Sequence, residues 1–101
     1  MSYLVLEPTD YRITSNRESG FGRYDIMLHP LKKALPAYIF EFKKFNAKRE
    51  TSMDDSLNAA MLQMKTKNYA TTLQQEGNSN IHLIAIAFKG KEVKMQYEEV
   101  L

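Results

Sequence analysis

The stretch AYIFEFK, Ala37 to Lys43, reads as a strand of β-branched and aromatic residues into which a carboxylate and an ammonium have been set. Side chains two apart in a strand share a face, so Glu41 and Lys43 project together while Tyr38, Phe40 and Phe42 take the other side. A second stretch, YDIML from Tyr24 to Leu28, carries Asp25 into apolar sequence in the same way. Burying a carboxylate is costly unless it is paired, hydrogen-bonded or bound to a metal. The preceding strand can bring Asp25 beside Glu41, and two converging carboxylates repel; a hard divalent cation, Mg²⁺ or Mn²⁺, relieves that repulsion. Such a cation would polarise a phosphoryl oxygen and lower the pKa of a bound water. Lys43 would orient the water and stabilise the developing charge, which makes phosphodiester hydrolysis the implied reaction. On spacing alone, an acid followed by Glu-x-Lys is common by chance and is more often a solvated ion pair.

Outward from this segment, Ala37 to Phe45 is the strongest strand of the first half, the third of a three-strand antiparallel meander and the one expected to be central in the sheet. Its partners are Tyr11 to Asn16 and Gly22 to Leu28, the latter closed by His29-Pro30, with a turn at Glu18-Ser19-Gly20 between them. Residues 31–36 are a connection. Ser52 with Asp54 and Asp55 behind it marks a helix start, since first-turn carboxylates favour the positive end of the helix dipole. Leu57, Met61 and Met64 form an apolar stripe, Gly77 is a stop, and the spacing predicts one helix from about Met53 to Gln75. Ile81 to Phe88 then reads as a buried strand. Lys89-Gly90-Lys91 turns into Glu92 to Tyr97, where Val93, Met95 and Tyr97 alternate with polar residues. Strand, helix, strand implies a right-handed crossover between parallel strands, hence an α/β mixed sheet with one principal helix and a C-terminal hairpin.

At 101 residues, with 44% hydrophobic and 26% charged side chains, the chain has the size and balance of a single globular domain, residues 1–101. Its longest apolar runs, such as Leu83 to Phe88, fall far short of the roughly 20 residues of a membrane span. No signal peptide is evident. The absence of cysteine removes disulfides and thiolate metal sites and fits a reducing compartment, with the cytoplasm as default address. A net charge of +2 conceals Lys43, Lys44, Lys48 and Arg49 within seven residues, which read equally as a solvated loop or as a phosphate-backbone contact surface. His29 and His82 have no ligand-spaced partner and read as structural; the six methionines read as core fillers.

SNRESGFGRYDIMLHP, AYIFEFKKF, LNAAMLQMKTKNYA and IAIAFKGKEV, in that order over residues 11 to 95, resemble the PD-(D/E)xK nuclease superfamily. More narrowly, they resemble the branch found C-terminal to an AAA-ATPase-like domain in bacterial proteins. The resemblance implies a restriction-endonuclease-like fold, a divalent cation, and nucleic acid, DNA in the first place, as partner. It casts Asp25 and Glu41 as metal ligands, with the main-chain carbonyl of Phe42 joining them, and Lys43 as the lysine of Glu-x-Lys. Glu18 falls where the branch has an acid facing a second cation, though it reads equally as a loop residue at the Gly20 turn. Gln63 matches the glutamine of the following helix, with Lys67 and Tyr69 completing Q-x-x-x-K-x-Y. Gln63 and Lys67, four apart, share a helix face, whereas Tyr69, about 120° round from Gln63, reads as a packing residue. Arg23 would grip a phosphate or bridge to Glu18. Lys44, Lys48, Arg49 and Lys67 are the further candidate nucleic-acid contacts.

Two features depart from the family pattern. Tyr24 stands where the name-giving motif has proline, and only Met1 to Glu7 occupies the place of the helix expected before the first strand, so that helix is missing or truncated. No G-x-x-x-x-G-K-[ST] loop is present, so these residues hold no ATPase of their own, and the resemblance implies association with an AAA-ATPase-like protein. An exposed sheet face covered by a neighbour, as in a homodimer, is one way to complete such a domain. The rival function is a catalytically inactive module that keeps the fold to bind nucleic acid or to assemble.

Overall fold

The computed structural model describes residues 10–15, 18–19, 22–23 and 25–100, with the side chains of Glu18, Ser19, Gly22 and Arg23 outside the description. In chain order these residues form β1 (Tyr11–Ser15), β2 (Glu18–Ser19), β3 (Gly22–Arg23), β4 (Ile26–Pro30), β5 (Ala37–Lys44), α1 (Met53–Thr66), α2 (Thr71–Gln75), β6 (Ile81–Lys89) and β7 (Glu92–Glu99). Five strands make one sheet in the order β1-β4-β5-β6-β7. β5 is central, antiparallel to β4 and parallel to β6, and β1 and β7 are the edges. This is the α/β, restriction-endonuclease-like arrangement, meander, helical crossover and hairpin, that the sequence implies. Met1 to Glu7, in the place of the family helix, and Tyr24, in the place of the motif's proline, lie outside the described residues.

Alternation in β5 and β6 explains why the helices settle where they do. Ala37, Ile39 and Glu41 on β5, and Ile81, Leu83, Ala85 and Ala87 on β6, are buried on one face. The small alanines let α1 approach, and Met53, Leu57, Ala60, Met61 and Met64 fill the space between with adaptable side chains. Asp55 secures the start of α1: its Oδ2 accepts from the Thr51 N–H at 2.8 Å, the Thr51 hydroxyl at 2.7 Å and the Ser52 N–H at 3.3 Å. Those bonds hold its carboxyl below the usual range, the Thr51 hydroxyl contributing most.

The helix expected from Met53 to Gln75 is broken. Asn68 adopts a left-handed φ of 53°, its N–H bonds the Lys65 carbonyl at 3.1 Å, and the Tyr69 N–H bonds the Met64 carbonyl at 3.2 Å. That pair is a Schellman ending with asparagine in place of the usual glycine. The short α2 ends the same way at Gly77, whose φ is 92°, with N–H bonds from Gly77 to Gln74 and from Asn78 to Leu73, both 3.0 Å. Gly77 is thus the stop that the sequence indicated, but a second stop precedes it.

The strand expected from Gly22 to Leu28 is also divided. Beyond the Ile26↔Phe40 pair the ladder with β5 ends, Asp25 lies in a bend, and β3 leaves the sheet to pair with β2. At the far side, Thr14 and Glu76 hold the buried His29 through its Nε2 (2.8 Å) and Nδ1 (2.7 Å), and Arg12 pairs with Glu76 at 2.9 Å. His29 therefore clamps β1 and β4 to the end of α2, the structural role expected of it. No described helix is long and apolar enough to cross a membrane.

In the sheet ladders, Ile13, Leu28, Tyr38, Phe40, Phe42, Ile84, Ile86, Phe88, Val93, Met95 and Tyr97 share the side turned away from α1 and α2. The alternation read in the last strand is present with its apolar members outward: Lys94 and Glu98 face α1 and pair with Asp54 and Lys65, while Val93, Met95 and Tyr97 are open to solvent. His82 shares that open side and is hydrogen-bonded to the Tyr97 hydroxyl.

Candidate active site

Where β4 stops pairing, the N–H of Phe42 loses its ladder partner, and a backbone donor must be satisfied elsewhere. Asp25 supplies the acceptor: its Oδ2 takes the Phe42 N–H at 2.7 Å. In an extended strand the N–H and C=O of one residue point the same way. The Phe42 carbonyl therefore opens on the edge of β5 where Asp25 sits.

Glu41 is only 7% exposed, beneath α1. Its Oε1 accepts from Gln63 Nε2 at 3.1 Å, whereas its Oε2 is buried with no hydrogen-bond partner. Burial first, and the Asp25 charge second, push its carboxyl up to about 7, against the opposing pull of Lys43. Asp25 and Glu41 therefore sense each other's charge, and Lys43 on the same strand face senses Glu41. The three residues singled out in the sequence are brought together.

Gln63 reaches this group from α1, and its amide nitrogen also donates to the Tyr69 hydroxyl at 2.9 Å. The reading of Tyr69 as a packing residue is incomplete. It is fully buried, as packing requires, but the break at Asn68 turns it back onto Gln63 instead of leaving it 120° away. Lys67 is at the exposed C-cap of α1 and makes no ion pair among the described residues; the helix face it was expected to share with Gln63 ends there. Glu18 and Arg23 are set opposite one another by the backbone register of β2 and β3, and their side chains lie outside the described residues.

The end of β5 and the loop after it carry the basic cluster. Lys43, Lys44, Asn46, Arg49, Glu50 and Asp55 line a hollow of about 400 Å³, and Lys48 lines a neighbouring one with Lys44. None of Lys43, Lys44, Lys48 and Arg49 is in an ion pair among the described residues. Glu50 is already engaged, accepting from the Asn46 N–H at 2.8 Å and the Ser56 hydroxyl at 2.9 Å.

The family model of the PD-(D/E)XK nuclease superfamily matches residues 1–98. The chain belongs to this superfamily. No curated protein and no solved structure matches it. Membership in the PD-(D/E)XK nuclease superfamily carries nuclease activity, divalent metal and nucleic-acid binding as general properties of the group. Among the described residues no group of three or more acids and histidines is gathered. The oxygens that could be offered to a cation here are those of the Asp25 and Glu41 carboxylates and the Phe42 carbonyl. The orphaned Oε2 of Glu41 is the observation that such a cation would explain, because an unpartnered buried carboxylate oxygen is costly.

Proposed function

We propose that the chain is a divalent-metal-dependent nuclease that hydrolyses phosphodiester bonds, in DNA before RNA. The observation that carries the reading is Glu41: nearly buried, raised to about 7 by burial and by the Asp25 charge, with one oxygen held by Gln63 and the other without a hydrogen-bond partner. Asp25, Glu41 and the Phe42 carbonyl would hold Mg²⁺ or Mn²⁺, with Glu18 a candidate for a second ion. When bound, the ion supplies Lewis-acid polarisation of the phosphate and acidifies water.

The chain's own residues do the rest. Lys43 places an ammonium on the same strand face as Glu41, where it orients the attacking water and offsets negative charge gathering on the phosphoryl oxygens. Gln63, whose amide nitrogen donates to both the Glu41 Oε1 and the buried Tyr69 hydroxyl, ties down one oxygen of Glu41 and leaves the other for the cation. Lys44 at the end of β5 and Lys48 and Arg49 in the loop that follows continue from the site as cations outside any described ion pair, with Arg23 and Lys67 as outlying contacts, and neutralise phosphates on either side of the scissile one. The reading includes a cytoplasmic address, supported by the lack of cysteine, and association with an AAA-ATPase-like protein, supported by the resemblance of the motifs to that branch.

The test is incubation of purified protein with supercoiled plasmid and with single-stranded DNA in Mg²⁺, Mn²⁺ or EDTA, beside Lys43→Ala. Metal-dependent nicking that falls about 10²- to 10³-fold in Lys43→Ala is the expected result. Equal activity in both proteins would mark a contaminant, and binding without cleavage in any metal would favour the inactive module.

A further inference from the structure

β7 ends the sheet, and its outer edge has no strand partner among the described residues. Its eight residues pair with β6 without a bulge, from His82↔Glu99 to Lys89↔Glu92, and contain neither proline nor glycine. Six of the eight are exposed, Val93, Met95 and Tyr97 at 60%, 65% and 57%. The Val100 N–H bonds the Ile81 carbonyl at 2.9 Å, and that bond fixes the alternation along the ladder. Glu92, Lys94, Gln96 and Glu98 turn their main-chain groups towards β6, whereas Val93, Met95, Tyr97 and Glu99 turn four N–H and four carbonyl groups outward. A long, regular edge of this kind is a template for another strand, and proteins ordinarily shorten, bend or cover it.

We propose that the outer edge of β7 pairs with the same strand of a second copy of the chain, antiparallel and about a two-fold axis at Gln96, so that two sheets join edge to edge. Side chains directly opposite in such a pair share a sheet face, which makes each register a definite set of contacts. Centred on Gln96, Lys94 stands opposite the other copy's Glu98 and Met95 opposite its Tyr97, and symmetry repeats both pairs. The outward groups of Val93, Met95, Tyr97 and Glu99 then meet one another, and every one of them gains a partner. The neighbouring registers are poorer. An axis at Met95 sets Glu92 against Glu98, one at Lys94 sets that lysine against itself, and one at Tyr97 sets Met95 against Glu99 and Gln96 against Glu98. The sequence of this edge is therefore its own complement in one register, with like charges opposed in the two registers on one side of it. That complementarity selects a second copy of the chain over an unrelated strand. Lys94 and Glu98 remain accessible for it: their side chains are 54% and 39% exposed, with Asp54 no nearer to Lys94 than 3.8 Å and Lys65 reaching Glu98 from α1. The pairing uses neither Asp25, Glu41 nor the basic cluster, so it stands apart from the nuclease reading.

Sedimentation equilibrium of the chain from micromolar to hundreds of micromolar concentrations tests it, with Lys94→Glu, Glu98→Lys, an equal mixture of those two, Met95→Pro and, as control in the connection between β4 and β5, Lys33→Glu. The wild type should sediment as two copies in reversible exchange with one. Lys94→Glu and Glu98→Lys each oppose like charges at both symmetry-related pairs, and each should weaken the association about tenfold. Mixed, they restore opposite charges at both pairs, and the mixture should associate about tenfold more tightly than either variant alone. Met95→Pro deletes an N–H that β6 does not use, so the variant should still melt cooperatively while losing the dimer. Lys33→Glu should associate as the wild type does. A one-copy mass throughout the range would overturn the proposal, as would a mixture no tighter than its components, a folded Met95→Pro that still dimerises, or a dimer weakened equally by Lys33→Glu. Should Met95→Pro fail to fold, the mixture decides alone.

Discussion

Glu41 concentrates the chemistry of this protein in one side chain, and its titration is measurable without any substrate. Folded, it protonates near 7, against the ordinary 4.5 expected once the chain unfolds. Between those values the native state holds the extra proton, so stability falls as pH rises from about 4.5 to about 7 and levels off above. A shift of that size corresponds to about 3 kcal/mol. Urea denaturation in EDTA at pH 5 and pH 8 should show the metal-free protein less stable at pH 8, and Glu41→Gln should abolish most of the difference. Tyr69→Phe removes the hydroxyl that holds Gln63 and should cost about 1 kcal/mol in the same measurement. If its denaturation midpoint matches that of the wild type, the Tyr69–Gln63 link has no structural weight. Asp25, Glu41 and Lys43 were legible from sequence because charge inside strand-forming residues is conspicuous. Tyr69 was not, since its partnership depends on a backbone turn that side-chain spacing along an uninterrupted helix conceals. The orphaned oxygen of Glu41 was equally out of reach, being a property of packing.

At the scale of elements, the decisive departure is the break between α1 and α2. Apolar periodicity runs through Met64, Tyr69 and Leu73 closely enough to suggest one helix. The signal that opposes it is local: Asn68, the residue after glycine best able to adopt a left-handed φ, follows a basic last turn. Asn68→Ala should lower the melting temperature by about 5 °C, the equivalent of roughly 1 kcal/mol in a domain of this size, while Asn68→Gly should be neutral or mildly stabilising. A thermal melt in which alanine and glycine behave alike would mean that the φ of 53° is not what shapes the turn. The division of β3 from β4 had no comparable signal. YDIML is continuous strand sequence, and the bend arises because Asp25 captures the Phe42 N–H that the ladder no longer reaches. The central strands and the hairpin, by contrast, followed directly from alternation and from the Lys89-Gly90-Lys91 turn.

For the whole molecule, the described helices pack on one side of a mixed sheet and fix the site there. The helix side assembles β5 and the Gln63–Tyr69 support into a compact acidic centre bordered by cations outside any described ion pair, while the described residues on the far side are mainly apolar. Sequence indicated both halves of this arrangement but could not say which face of the last strand would be turned outward; that depends on Lys94 and Glu98 finding partners on α1. The claim on which the functional account stands is that Asp25 and Glu41 share one divalent cation. Titration of Mn²⁺ at pH 8, with the free ion followed by electron paramagnetic resonance, addresses it directly. One site per chain is expected, weakened tenfold or more by Asp25→Asn and by Glu41→Gln, retained in Lys43→Ala, and weakening as pH falls below 7 because Glu41 must first lose its proton. Absence of Mn²⁺ binding in the wild type, or binding that both carboxylate variants leave untouched, would contradict it.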